Sequence, residues 1–256
     1  MPRPRPLPEG FQPYVWAQTA DEVARRRGLP AACVLRFDAN VPPLPGVPAI
    51  PLGETFSSLN EYPEGTYREL REAAAAYAGV DPEQVVVGAG ADDLIHLVAR
   101  TYLAPGRRAA IESPTYPLYR IATHLEGAEV VELGQEADVI WICNPANPTG
   151  ALRQAEELVA LARRFPRALV AVDEAYFEYA GMTVCPLIAD VPNLLAIRTL
   201  SKAFGLAALR VGYAVASPEV AAELDRRRAP APVAAPAARI AASALRRPRL
   251  DVERET

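Results

Sequence analysis

The chain has 256 residues, half of them hydrophobic, with a formal net charge of −4 and a pI near 5.4. That is enough for one large domain or two small ones with a sizeable core. The acidic balance disfavours a nucleic-acid surface, and no segment has the unbroken apolar length of a membrane span. The amino terminus, MPRPRPLPEGFQPYVW, lacks the apolar core and small-residue cleavage site of a secretory signal. Three widely spaced cysteines, Cys33, Cys143 and Cys185, fit reduced cytoplasmic thiols better than disulfides or zinc. His96 and His124 are too isolated to suggest a metal site.

Residues 1–55 are proline-rich (VPPLPGVPAIPLG) and read as an arm lying on something else. Regular patterning starts at Thr66. There TYREL has the form of a capping box, with Thr66 accepting from the third helical amide and Glu69 reaching back, and the helix stops at Gly79. Seven apolar runs follow: QVVVG, RAAIE, AEVVEL, DVIWIC, ALVAVD, LLAIRT and RVGYAVA. Helical patterns at 91–103, 115–125 and 152–165 lie between several of them. Near-continuous apolar strands alternating with helices predict a three-layer α/β/α domain with a mostly parallel sheet. After Ala216, SPEVAAELDRRR reads as a helix with Ser217 as its cap and Pro218 at its first position.

Several strands run into polar residues at their carboxyl ends, where open α/β sheets bind ligands. QVVVG leads into Ala89-Gly90-Ala91-Asp92, a small-residue turn opening a helix. That is either an ordinary turn or an anion cradle built on a helix amino terminus. DVIWIC leads into Asn144-Pro145-Ala146-Asn147, and ALVAVD ends on Asp173 before Glu174-Ala175-Tyr176. LLAIRT leads into Leu200-Ser201-Lys202. Lys202 is the only lysine in the chain, against 26 arginines. An arginine stays protonated, whereas a lysine whose surroundings lower its pKa can attack an aldehyde. Asp173 is either a structural acid or a partner for a ring nitrogen. Arg210 is either a surface arginine or a fork donor to phosphate. Tyr116 is a core aromatic by default and otherwise a stacking surface for a flat ring.

Six strings occur in one order: NEYPEGTYRELREAAAAYAGV, GAGADDLI, ESPTYPLY, NPANPTG, VDEAYFEY and RTLSKAFGLAALRVGYA. On them, the segment from Asn60 to about Ala216 resembles the fold-type I aminotransferases that depend on pyridoxal 5'-phosphate (PLP), and among these the histidinol-phosphate aminotransferases. The resemblance implies that Lys202 bonds the cofactor aldehyde and carries a proton at the substrate. It pairs Asp173 with the pyridine nitrogen, sets Asn147 and Tyr176 on the phenolic oxygen, and stacks Tyr116 on the ring. It gives the phosphate to the amides of Ala91 and Asp92, to Ser201 and to Arg210. Tyr62 looks like the tyrosine that reaches the neighbouring subunit's phosphate, which implies a homodimer.

Beyond residues 56–216, the resemblance makes residues 217–256 a linking helix and a truncated remnant of the small domain. That domain holds the arginines that grip the substrate carboxylate, and no motif assigns Arg239, Arg246, Arg247 or Arg249 to that task. Asn40 in FDANVPPLPG matches an asparagine of the family's substrate-contacting stretch, while its tyrosine position holds Leu44. The segment between Leu133 and Asp138 is also shorter than in the family. The expected activity is amino transfer between glutamate or 2-oxoglutarate and a phosphorylated imidazole keto compound or related keto acid. The alternatives are a phosphothreonine decarboxylase-like enzyme and a PLP-binding homologue without turnover. A dinucleotide site is disfavoured, because GAGADD lacks G-x-G-x-x-G.

Overall fold

The computed structural model describes residues 7–8, 10–15, 18–35, 37–38, 40, 59–247 and 252. The proline-rich run of the arm, Leu44 and Arg249 lie outside the described residues. All seven apolar runs are strands: β1 (Val85–Gly88), β2 (Arg108–Ile111), β3 (Glu129–Glu132), β4 (Val139–Cys143), β5 (Leu169–Asp173), β6 (Leu194–Thr199) and β7 (Gly212–Ala216). They form one sheet in the order β1-β7-β6-β5-β4-β2-β3. The pairs from β3 to β6 are parallel, and β7 runs antiparallel to both β6 and β1. Every residue of β1, β4, β5, β6 and β7 is buried, as expected for strands covered on both faces, while the edge strand β3 exposes both its glutamates.

The helices among the described residues are α1 (Ala20–Arg27), α2 (Arg68–Ala78), α3 (Gly90–Tyr102), α4 (Leu118–Leu125), α5 (Ala155–Arg164), α6 (Phe177–Ala180), α7 (Pro218–Arg227) and α8 (Ala235–Leu245). Alternation along each strand sorts the core into two layers. Val85, Val87, Ile140, Ile142, Val170 and Val172 face α2, α5 and α8. Val86, Val139, Trp141, Ala171 and Ile197 face α3, α4 and α7. Alanines at 73, 74, 75 and 78 of α2 and at 237, 241, 242 and 244 of α8 belong to the first layer, so short side chains let these helices lie close. None of the described helices is long and apolar enough to cross a membrane.

The start of α2 departs from the expected capping box. Its N-cap is Tyr67, in a left-handed conformation (φ 51°), and no side chain caps it in the usual way. Glu64 instead accepts from the Thr66 and Arg68 amides, 2.9 Å each, and from the Thr66 hydroxyl. The reason lies in packing. The Tyr67 ring is buried, and its hydroxyl donates to the Val233 carbonyl at 2.7 Å and accepts from the Val233 amide at 3.1 Å. This clamp ties the α7–α8 connection to α2 and forces the backbone at Tyr67 out of helical geometry. Ser217 does cap α7, with Pro218 at its first position.

A charged cluster lies in the first core layer beneath the ends of β5 and β6. Arg198 and Glu174, 2 % and 1 % exposed, pair at 3.0 Å. Arg198 also donates to Thr183 (2.7 Å) and Tyr213 (3.3 Å), and its guanidinium lies 3.7 Å from the Phe177 ring centre. Glu174 further accepts from the Thr183 hydroxyl (2.8 Å) and the Val184 amide (2.7 Å). Glu178 is buried nearby and accepts from the Tyr77 hydroxyl at 3.4 Å. Burial pushes its carboxyl up to about 7, against the pull of Arg198.

Two predictions follow from this cluster. Arg198→Met leaves Glu174 charged and unpaired, and should cost about 3–5 kcal/mol in urea denaturation. Arg198→Met/Glu174→Leu should recover most of that loss, and a double variant as unstable as the single one contradicts the pairing. A raised carboxyl pKa gives stability that is fully present below the unfolded value of 4.5 and is lost as pH rises through about 7. Glu178→Gln should therefore remove a fall in stability of up to roughly 3 kcal/mol between acid and alkaline conditions. An unchanged pH slope in the variant would show that Glu178 ionises normally.

Candidate functional site

The one antiparallel strand decides what meets at the carboxyl edge. Because β7 is reversed, its amino end, preceded by Arg210, lies beside the carboxyl ends of β1 and β6. A cavity of about 740 Å³ opens at this edge. Its lining includes Ala91, Asp92, Tyr116, Asn147, Asp173, Tyr176, Ser201, Lys202 and Arg210, so nine of the sequence-predicted residues come together. The size is that of a small-molecule pocket. Tyr62 does not join them: it is 91 % exposed and lines a separate hollow with Glu61 and Arg239.

The backbone is drawn tight on one side of the cavity. Gly90 opens α3 at φ 84°, and a Cβ there would sit 2.9 Å from Arg210 Nη2. A Cβ on Gly212 would lie 2.7 Å from the Arg198 carbonyl oxygen and 2.8 Å from the Gly90 carbonyl carbon. Only glycines allow the α3 amino terminus, Arg210 and Ser201 to close around one spot. Arg210 reaches Ser201 Oγ at 3.4 Å and Asp92 Oδ2 at 3.1 Å, and the Tyr116 hydroxyl donates to Asp92 Oδ1 at 3.1 Å. The donor set is that of an anion cradle, and the half-exposed Asp92 carboxylate now takes its donors. An exposed pair of this kind holds weakly, so an incoming dianion can displace it.

Asp173, 4 % exposed, ends β5 on the second core layer. Its Oδ2 accepts from the Tyr119 hydroxyl at 2.7 Å and its Oδ1 from the Ala175 amide at 3.1 Å. Burial pushes its pKa up to about 6, and these two bonds oppose the rise. Lys202 is half-buried after β6. Burial lowers its pKa, the charges of Asp92 and Asp173 raise it, and Arg210 lowers it. The net displacement is downward, toward the neutral amine. The Lys202 Nζ lies 5.6 Å from the Tyr176 ring centre. The Tyr176 hydroxyl accepts from Asn40 Nδ2 (3.1 Å) and from Asn147 Nδ2 (3.5 Å). With both asparagines donating, its own proton is free for an acceptor in the cavity. The Asn147 loop is shaped by buried Asn144, which accepts from the Arg153 amide (2.8 Å) and donates to its carbonyl (3.1 Å).

Several lining residues were not found by sequence reasoning. Tyr14 and Asp38 reach the cavity from the arm, where no periodic pattern marks them, and Tyr14 packs edge-on against Tyr116 at 6.3 Å. Tyr119, which lies behind the lining, meets Asp173 from α4, and in an apolar helix nothing in its sequence marks that contact. Arg210 is the one arginine among the described residues lining the cavity, and Arg246 pairs with Glu69 on the surface instead. Gly212→Ala should destabilise the fold by about 1–3 kcal/mol in urea denaturation, because backbone rather than a flexible side chain blocks the new methyl. A variant as stable as the parent contradicts this close approach.

The family model for class I and II aminotransferases matches residues 34–256. Histidinol-phosphate aminotransferase of Geobacillus sp. (strain WCH70) is 35 % identical over 244 residues, covering 86 % of this chain and 66 % of that protein. Histidinol-phosphate aminotransferase 2 of Pseudomonas aeruginosa is 36 % identical over 249 residues, with coverages of 88 % and 68 %. This chain thus spans about two thirds of the length of these relatives. Among solved structures, L-threonine-O-3-phosphate decarboxylase from Porphyromonas gingivalis superposes with a TM-score of 0.69 at 27 % identity, over 76 % of this chain and 66 % of that one. Histidinol-phosphate aminotransferase from Sinorhizobium meliloti, in complex with pyridoxal-5'-phosphate, gives 0.78 over 96 % and 73 %; at 23 % identity this is a likeness of fold.

Proposed function

The chain belongs to the class I and II aminotransferase family, and on that premise we propose that its carboxyl-edge cavity binds pyridoxal 5'-phosphate for amino transfer. The proposed exchange is between glutamate or 2-oxoglutarate and a phosphorylated imidazole or related keto compound, as in the histidinol-phosphate aminotransferases. The observation that carries this reading is that the chain's only lysine shares one cavity with a buried aspartate, a tyrosine–asparagine pair and an anion cradle. Each fits a different part of the cofactor, and the glycine-tight backbone at Gly90 and Gly212 leaves room where a phosphate belongs. Bound there, the cofactor supplies an aldehyde for a primary amine and an electron-withdrawing ring that weakens bonds at the amine's α-carbon.

The chain's own residues do the rest. Arg210, Ser201 and the amides of Ala91 and Asp92 hold the phosphate, once Arg210 leaves the Asp92 carboxylate. Asp173 would pair as an anion with the ring nitrogen. Tyr176 and Asn147 would bind the phenolic oxygen, and Tyr116 would cover the ring. Lys202, its pKa lowered by burial, would present a neutral amine to the cofactor and would carry the proton at the substrate α-carbon. Residues 56–216 would form the cofactor domain, 1–55 its arm, and 217–256 the linking helix and part of the small domain. Tyr62 reaches a neighbouring subunit's phosphate, in a cytoplasmic homodimer; its exposure leaves it available for that role. A decarboxylase of phosphothreonine is the second reading, favoured by the likeness to the Porphyromonas gingivalis enzyme.

The test is a visible absorption spectrum of the protein with the cofactor, before and after L-glutamate. We expect a band that Lys202→Arg abolishes and that glutamate bleaches. Asp173→Ala should keep the band and slow its bleaching by about 10²-fold or more. A band retained in Lys202→Arg removes Lys202 as the attacking amine. A band that ignores glutamate but responds to phosphothreonine favours the decarboxylase, and one that ignores both favours a cofactor-binding chain without turnover.

A further inference from the structure

We propose that Tyr119 is a positioning residue for Asp173: its hydroxyl holds the carboxylate in its charged form and fixes the plane in which it meets a ring nitrogen. The second half of that statement rests on the cofactor reading above. The first half concerns only this chain.

The geometry is specific. The Tyr119 side chain is wholly buried, and its orientation is set by its ring rather than by the hydrogen bond. The ring stacks on Trp141 of β4, 5.4 Å between centres and 5° between planes, and meets Tyr116 edge-on at 5.8 Å. The Tyr119 carbonyl in turn accepts from the Thr123 hydroxyl at 2.7 Å. A phenol held in this way delivers its proton to a fixed point, and that point is Asp173 Oδ2. The Ala175 amide holds Oδ1, so the carboxylate cannot rotate without breaking one of two bonds.

The charges around Asp173 explain why a donor is needed. Asp92 from α3 and Glu174 next in sequence are both acids, and both disfavour a further negative charge. Cys143 on β4 adjoins the same hydroxyl, and its thiol is pushed up to about 12, mainly by burial and also by Asp173, so it stays neutral and adds no charge. Lys202 is the cation that faces Asp173, but the proposed chemistry uses its amine in the neutral form. Burial raises the Tyr119 pKa far above its ordinary value, so this hydroxyl remains a donor at every working pH. A buried tyrosine always seeks some partner. What singles this one out is that the partner is the one carboxylate of the cavity that must stay ionised.

The test uses the folded chain without added cofactor, with aspartate side-chain carboxyls labelled by carbon-13. Asp173 should titrate near 6 in the parent, and Tyr119→Phe should move that midpoint upward by about one pH unit, a tenfold change in its ionisation constant. Ile121→Val, which alters the packing of α4 but keeps the Tyr119 hydroxyl and its supports, should leave the midpoint in place. In the unsubstituted chain, the Tyr119 ring-carbon shift should follow the same titration. An unmoved Asp173 midpoint in folded Tyr119→Phe, an equal shift in Ile121→Val, or a Tyr119 signal flat across the titration each overturns the proposal. With cofactor added, Tyr119→Phe should also raise the pH at which the Lys202-dependent band titrates. A carboxyl shift in a parent that shows no such band leaves Tyr119 in its role and removes the cofactor reading instead.

Discussion

The ion pair between Arg198 and Glu174 is the contact on which the rest of the site depends. It lies inside the first core layer, where two charges are expensive to bury and an apolar pair of similar volume often gives equal or greater stability. Its value here is directional. One guanidinium joins the end of β5, the body of β6, Tyr213 of β7 and the Thr183 turn, and each bond has a fixed angle that packed aliphatic side chains do not impose. Asp173 immediately precedes Glu174, Tyr176 follows it by two residues, and Lys202 lies four residues beyond Arg198. Three of the site's functional side chains are therefore hung from the two ends of one buried salt bridge.

The two faces of the sheet divide the work. Arg198 and Tyr213 point into the layer under α2, α5 and α8, while Asp173 and Tyr119 lie with the layer under α3, α4 and α7. The period-two alternation of strands makes this possible: successive residues at the end of β5 address opposite layers. The Asp173 carboxylate is supported from one side and the strand end that carries it from the other. The reversed strand β7 completes the arrangement by bringing Arg210 to an edge where a parallel strand would have delivered its carboxyl end.

The strands and the meeting of residues at their carboxyl ends were legible in the sequence because both follow from short-range pattern. VIWIC and LVAV are apolar throughout only because both faces are covered, and the polar residue that follows each, Asn144 or Asp173, marks the edge. The start of α2 was not legible. TYREL carries a sound local capping signal, but burying the Tyr67 ring and its two bonds to Val233, 166 residues away, outweighs it. Asn40 on Tyr176 and Tyr119 on Asp173 are likewise long-range contacts between elements whose sequences show no trace of one another. A tyrosine in an apolar helix reads as core, and Tyr119 is core; its second task depends on which strand end lies opposite.

Burial acts in opposite senses on the two groups that matter most. It drives Lys202 toward its neutral form, which a nucleophilic amine requires, and it drives Asp173 toward its neutral form, which a partner for a protonated ring cannot tolerate. A site that simply excluded water would gain the first effect and suffer the second. Exposing Asp173 would restore its charge but return the lysine to the solvent that protonates it. The chain separates the two by giving the carboxylate donors of its own, one from the backbone at Ala175 and one from Tyr119. Neither donor lies on the element that carries Lys202, so the aspartate is corrected without adding a hydrogen-bond donor beside the amine. The stacked Tyr119–Trp141 pair is thus as much a part of the electrostatics of the cavity as any charge that lines it.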